Sequence, residues 1–187
     1  MKTIAVIGRA QRDADDPMPR ETLEIAEAVG QFIAKAGAAI ITGGMTGVME
    51  AASKGAKEAG GLVIGVLPGR DRRSANDYVD IAMPTGLGTA RNIIDARAAD
   101  AVIMVGGAVG TLNELTIAYA VGKPIVILRG TGGWADRIEG VLYEGRYLDD
   151  RHVVPIEFAD TAAEAVDLAL RRINEHFLQP PVPEAPF

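Results

Sequence analysis

Apolar runs alternate with stretches of helical periodicity along nearly all of this 187-residue chain, and that alternation restricts its fold more than any other feature. The runs at 2–7, 38–41, 62–67, 79–82, 101–105, 124–128 and 153–158 read as strands. Most are continuously apolar, the pattern of parallel strands covered on both faces. Between them, 21–36 sets Leu23, Ala26, Val29 and Ile33 on one helical face, and the alanine-rich 46–59 stops at Gly60-Gly61. Further helices are expected at 89–99, 111–121 and 161–177, the last carrying Val166, Ala169, Ile173 and Phe177 at helical spacing. The series predicts an α/β fold with a doubly wound, mostly parallel sheet, helices on both faces and right-handed crossovers. Ligands of such sheets bind at the carboxyl ends of the strands.

The length suits one domain, placed at 1–178, followed by an extended proline-rich tail at 179–187. No apolar run approaches a membrane span, and the short apolar N-terminus reads as a first strand, so a cytoplasmic protein is expected. The chain has no cysteine, and His152 and His176 lie too far apart to suggest a ligand pair, so no metal site is expected. A net charge of −6 argues against a nucleic-acid or membrane surface, both of which need a basic footprint. Any bound anion must therefore be held locally.

Two glycine-bearing turns supply such a place. Each follows an apolar run and opens a helix: Gly43-Gly44-Met45-Thr46-Gly47 and Gly106-Gly107-Ala108-Val109-Gly110-Thr111. A strand turning on glycines into a helix aims backbone N–H groups at one point, where the helix dipole adds positive charge and favours phosphate. The first turn lacks both the G-x-G-x-x-G spacing of a dinucleotide site and the Gly-Lys-Ser/Thr ending of a P-loop. It reads equally as a tight turn without a ligand. In the second, Thr111 and Glu114 form a Thr-x-x-Glu pattern that a capping box would explain. Thr161-Ala162-Ala163-Glu164 repeats that pattern without glycines, so the glycines before Thr111 carry the functional argument.

Arg91 opens the helix ahead of the second turn. Arginine is mildly unfavourable at a helix start unless an anion is near, and a solvent-exposed side chain is the plain alternative. Asp95 is placed to pair with Arg91 or with Arg97. Arg70, Arg72 and Arg73 fit a solvated loop as well as a phosphate-facing one. Trp134 reads as packing in preference to stacking on a ligand ring.

Arg91, Asp100, Gly107, Gly110, Thr111 and Glu114 together resemble the signature of the Lonely Guy ("lysine decarboxylase-like") family, an Arg-Lys pair followed by Pro-Gly-Gly-x-Gly-Thr-x-x-Glu. The first turn and the stretch to Gly65-Val66-Leu67-Pro68 resemble that family's other glycine motif. The likeness covers about residues 2–170. Gly106 stands at the motif's proline, Ala108 at its second glycine and Asn92 at its lysine, changes more similar to a sister branch that includes a molybdenum-cofactor carrier. The resemblance implies a Rossmann-like homodimer, or a higher homo-oligomer, that cuts the N-glycosidic bond of a nucleoside 5′-monophosphate, releasing free base and ribose 5-phosphate. In that reading Arg91 and Glu114 are catalytic. Gly43, Gly44, Thr46, Gly47, Gly107, Ala108, Val109, Gly110 and Thr111 hold the phosphate. No cofactor is expected, and no lysine sits in a recognisable pyridoxal site. The sister branch implies the alternative of a carrier that holds a phosphorylated pterin cofactor without chemistry, and a nucleotide sensor is a third possibility.

Overall fold

The computed structural model describes residues 1–11, 15 and 17–177; the expected domain end at 178, the tail at 179–187 and the side chain of Phe177 lie outside the described part. Seven strands form one sheet: β1 (Thr3–Gly8), β2 (Ala39–Thr42), β3 (Val63–Leu67), β4 (Ile81–Pro84), β5 (Ala101–Val105), β6 (Ile125–Leu128) and β7 (Ile156–Ala159). Their order is β4-β3-β2-β1-β5-β6-β7, and every pairing is parallel. This is the Rossmann-like α/β architecture expected from the alternation of apolar runs.

Helices α1 (Arg20–Lys35), α2 (Val48–Glu58) and α6 (Ala162–Phe177) cover one face of the sheet, while α3 (Asn92–Ala98), α4 (Val109–Ala120) and α5 (Gly133–Arg137) cover the other. Because both faces are covered, β2, β5 and β6 are buried at every position, which explains why every residue in them but Thr42 is apolar. The core splits accordingly. Ile4, Val6, Ile40, Val105 and Leu128 point to the first helix layer, and Ala5, Ile7, Ile41, Met104 and Ile127 to the second.

The chain runs outward from β1 through β2 and β3 to β4, then returns to place β5 on β1's other side. The ladder between them extends from Ile4 opposite Ala101 to Gly8 opposite Val105. Connections leave β1 and β5 in opposite directions, so a crevice opens beyond their carboxyl ends, the usual ligand position of an open parallel sheet.

Several details differ from the sequence reading, and β7 for one starts at Ile156, not at 153. The edge strand β4 lies two residues later than expected, with Ile81 47% and Met83 43% exposed, because an edge strand needs no continuous apolar run. Helix α5 arises in the glycine-rich segment after β6, where glycines masked it. Helix α4 begins at Val109 with Ala108 at its N-cap and no side-chain cap, so Thr111 lies inside the first turn and the capping box expected there does not form. The control copy does cap its helix: the Glu164 N–H donates to Thr161 Oγ1 at 3.2 Å, while Glu164 Oε2 reaches one residue past the N-cap to accept from the Asp160 N–H at 3.0 Å.

Candidate functional site

The turn from β5 into α4 is fixed by the next βα unit. Gly106 N–H donates to Thr131 Oγ1 at 2.7 Å, and that hydroxyl donates to the Leu128 carbonyl at 2.7 Å. The Gly107 and Gly106 carbonyls accept from the N–H groups of Trp134 (3.0 Å) and Ala135 (3.1 Å) at the start of α5. Gly133, at φ 61°, packs so closely on the Gly107 carbonyl that a β-carbon would collide with it. The carbonyls of the turn are thereby drawn toward α5. On the other side, the N–H groups of Val109, Gly110 and Thr111 precede the first helical bond, from Leu112 to the Ala108 carbonyl (3.0 Å). With no side-chain cap, they have no hydrogen-bond partner among the described residues, as expected of the donors at a helix N-terminus.

Two of these donors, on Gly110 and Thr111, border a cleft of about 180 Å³ at the carboxyl edge of β1 and β5; Val109 is 74% exposed and, like Gly107, does not line it. Ala108, Gly110, Thr111 and Glu114 form one wall; Gly8, at the end of β1, and Arg9 and Ala10 after it form another. Met49, Pro68, Gly88, Thr89, Arg91 and Asn92 close the remainder.

Arg91 is buried rather than exposed. It ends a short 3-10 turn (Gly88–Arg91) leading into α3, and only 11% of its side chain is accessible. Its Nη1 donates to Asp95 Oδ2 and lies 3.6 Å from Glu114 Oε1, while Nη2 lies 4.0 Å from Met49 Sδ. Asp95 therefore pairs with Arg91, the first of the two partners its spacing allowed. Burial lowers the guanidinium pKa, and Glu114 opposes that shift, yet an arginine starting so high stays charged. Burial raises the Glu114 carboxyl to about 7, with the Arg91 charge pulling the other way. Among the described residues no hydrogen bond reaches the Glu114 carboxyl. Such a group titrates where proton transfer at neutral pH is most effective.

Asn92, at the position of the motif's lysine, ties the two helices that carry the pair. Its Nδ2 donates to Asn113 Oδ1 at 2.9 Å and to the Gly110 carbonyl at 3.4 Å.

The first glycine turn has a different placement. A β-carbon on Gly43 would strike both terminal nitrogens of Arg91 and Met49 Sδ, so Gly43 makes room for the guanidinium. Gly44 N–H donates to Thr42 Oγ1 (3.0 Å), Val48 N–H to the Arg9 carbonyl (3.1 Å), and Gly47 (φ 74°) backs onto residues 9–11. Gly43, Gly44, Thr46 and Gly47 do not line the Arg91–Glu114 cleft. Thr46 borders a separate depression with Glu50 and residues 74–77, and its hydroxyl donates to the Gln11 carbonyl. Nor does the structure bring Arg70, Arg72 or Arg73 to the cleft; Arg73 pairs with Asp71. Trp134 packs against the second core layer. Sequence reasoning missed Thr131 and residues 8–10. Their only signal was position, after strands whose neighbours could not be known from local pattern.

Among the described residues there is no group of three or more His, Cys, Asp or Glu side chains able to hold a metal ion, and no helix long and apolar enough to cross a membrane.

Comparison with known proteins is consistent with this geometry. The family model of the SLOG cluster4 family matches residues 1–163. A structural-genomics target solved by X-ray crystallography superposes with a TM-score of 0.86 at 42% identity, covering 91% of this chain and 99% of its own. The molybdenum cofactor carrier protein of Chlamydomonas reinhardtii superposes with a TM-score of 0.75 at 35% identity, covering 94% and 99%. The cytokinin riboside 5′-monophosphate phosphoribohydrolase of Mycobacterium marinum is 31% identical over 164 residues, 80% of this chain and 87% of that one.

Proposed function

Because the chain belongs to the SLOG cluster4 family, we propose that it binds a phosphorylated small molecule in the cleft beyond β1 and β5 and hydrolyses the N-glycosidic bond of a nucleoside 5′-monophosphate. The products are free base and ribose 5-phosphate. One observation carries this reading: a buried carboxyl with a pKa of about 7, Glu114, borders the cleft beside a buried guanidinium and one turn from backbone donors without a partner among the described residues. The named activity of the mycobacterial relative supports it.

In this reading the N–H groups of Val109, Gly110 and Thr111 receive the phosphate, with Gly107 and Ala108 setting their direction. Arg91 orients the substrate and balances its charge. Glu114 faces the glycosidic bond, where a carboxyl group stabilises positive charge developing on the ribose or orients the attacking water. Gly43, Gly44, Thr46 and Gly47 act through the Arg91 seat and the 9–11 segment, one step removed from the ligand. A cytoplasmic homodimer goes with the reading, and analytical ultracentrifugation checks the assembly.

A carrier of a phosphorylated pterin is the second reading, favoured by the 94% coverage of the chain in its superposition on the Chlamydomonas carrier. The same donors would hold the pterin's phosphate, and Glu114 would then do no chemistry. Incubating the purified protein with nucleoside 5′-monophosphates and following free base by chromatography separates the two. Base release lost in E114Q supports the hydrolase. No release from any nucleotide, with pterin fluorescence in the purified protein, supports the carrier.

A further inference from the structure

Arg91 faces two carboxyl groups at once. Its Nη1 donates to Asp95 Oδ2, one helical turn along, and lies 3.6 Å from Glu114 Oε1. All three side chains are enclosed, with 11% of Arg91, 2% of Asp95 and 8% of Glu114 accessible. Two carboxylates and one guanidinium leave a net negative charge where little water screens it, a costly arrangement unless a proton is taken up.

Among the described residues no other neighbouring element supplies the balance. Strands β5 and β6 contribute only aliphatic and methionine side chains, and the hydroxyl of Thr3 on β1 is bonded to Asp100. Glu114 is the only charged residue of α4. On α5, Asp136 and Arg137 are exposed, and the Asp136 carboxylate accepts from the N–H groups of Gly130 and Gly132. Arg9 also reaches the cleft from beyond β1, but the charge that acts on the Glu114 carboxyl is that of Arg91. The proton therefore falls to Asp95 or Glu114.

Geometry decides between them. Asp95 has the direct hydrogen bond to the guanidinium, and Glu114 stands off at a longer distance. Asp95 Oδ1 is buried without a hydrogen-bond partner, so Arg91 alone compensates the Asp95 charge. Moving the proton to Asp95 would exchange that direct charge-assisted hydrogen bond for the longer contact to Glu114. We propose that Asp95 is a positioning residue that claims the Arg91 guanidinium and so leaves Glu114 carrying the proton when no ligand is bound. Burial acts in the same direction, raising the Glu114 carboxyl against the pull of the Arg91 charge.

The chemical consequence rests on the hydrolase reading and sharpens it. As the C1′–N bond breaks, its electron pair goes to the base nitrogen, and Glu114 gives its proton to the departing base. The carboxylate left behind stabilises the ribosyl cation, then accepts a proton from the water whose oxygen bonds to C1′. Glu114 ends protonated, ready for the next turnover, and the products are neutral base and ribose 5-phosphate.

Carbon-13 NMR of the full chain, labelled at the aspartate and glutamate carboxyls and free of ligand, tests the assignment; D95N and E114Q identify the two resonances. Glu114 is expected to titrate near neutrality while Asp95 stays ionised from pH 5 to 8. In D95N the Glu114 midpoint falls by about one pH unit or more, since Arg91 is then free to pair with it. In activity, the high-pH limb of the kcat profile moves down by the same amount, so that kcat drops about tenfold at pH 8 and recovers at lower pH. A purely structural role for Asp95 would lower kcat evenly at all pH values. Glu114 ionised below pH 5, Asp95 titrating near neutrality, or an unmoved midpoint in D95N overturns the proposal. If D95N does not fold, the wild-type titration alone decides. Glu114 titrating as expected without base release from any nucleotide keeps the proton assignment and removes the hydrolase reading; base release with Glu114 ionised at pH 5 removes the assignment alone.

Discussion

Arg91 Nη1 stands 3.6 Å from Glu114 Oε1 across the cleft floor, although β5 and two turns of chain separate the two residues. The proximity comes from α3 and α4 packing side by side, with Asn92 bridging to Asn113. The chemistry proposed for the site depends on this pair, so its replacement is the first prediction. E114Q keeps the side chain's shape and removes its titration. Base release is expected to fall a hundredfold or more, roughly the weight of general acid–base catalysis. Binding of the nucleotide, read by calorimetry, is expected to change little. Undiminished turnover would remove Glu114 from its role.

The same carboxyl links stability to pH. Its native pKa, about 7, lies above its ordinary value of 4.5, so between those values the native state binds more protons than the unfolded chain. Stability therefore falls as pH rises through that window, by up to about 3 kcal/mol from this group. Thermal melts of the wild type and E114Q are expected to converge near pH 4.5 and to diverge toward pH 8, with the variant the more stable. Parallel melting curves across that range would contradict it.

Gly43→Ala puts a methyl group into the space held by the Arg91 guanidinium and Met49. Overpacking of this kind costs about 1–3 kcal/mol, and the displaced guanidinium is expected to lower kcat. Gly140→Ala, where an added β-carbon meets open space, is the control; it is expected to leave both melting temperature and kcat in place.

Gly110→Glu separates stability from binding. Position 110 lies in the first turn of α4 with nothing near an added β-carbon. Loss of a helical glycine and gain of a carboxylate at a helix N-terminus each favour folding by about 0.5–1 kcal/mol. The same carboxylate repels a phosphate at that spot. A melting temperature held or raised, together with at least tenfold weaker binding of ribose 5-phosphate, is the expected pair of results. Unchanged binding would place the phosphate elsewhere.

Thr131→Val removes the acceptor for Gly106 N–H and the donor to Leu128. Stranding the buried N–H is expected to cost about 1–3 kcal/mol. Denaturant melts measure that loss, and calorimetry is expected to show weaker ligand binding as the β5–α4 turn relaxes.

The architecture was legible because buried parallel strands write their burial into unbroken apolar runs: Ala101–Val105 was read with its exact ends. The edge strand Ile81–Pro84 was displaced because exposure relaxes that constraint. Helix Gly133–Arg137 went unread because its opening glycine serves close packing on Gly107, a contact made across sequence. Within the site, the spacing of Arg91 and Glu114 was visible, and so was the reach from Arg91 to Asp95. What could not be read was nonlocal. Gly43 looked like a phosphate turn and is the seat of a guanidinium; Thr111 looked like a cap and sits within the helix, because the N-terminus of α4 is shaped from outside by Thr131 and the start of α5.

That dependence on α5 has a consequence during synthesis. Gly106 and Gly107 are made well before Thr131, Trp134 and Ala135, the residues that hold them in place. A nascent chain that has already delivered Arg91 and Glu114 to the solvent still lacks the lock on its donor turn. Nucleotide binding by stalled chains of increasing length is therefore expected only once the segment through Ala135 is free to fold, and binding by a shorter chain would contradict it.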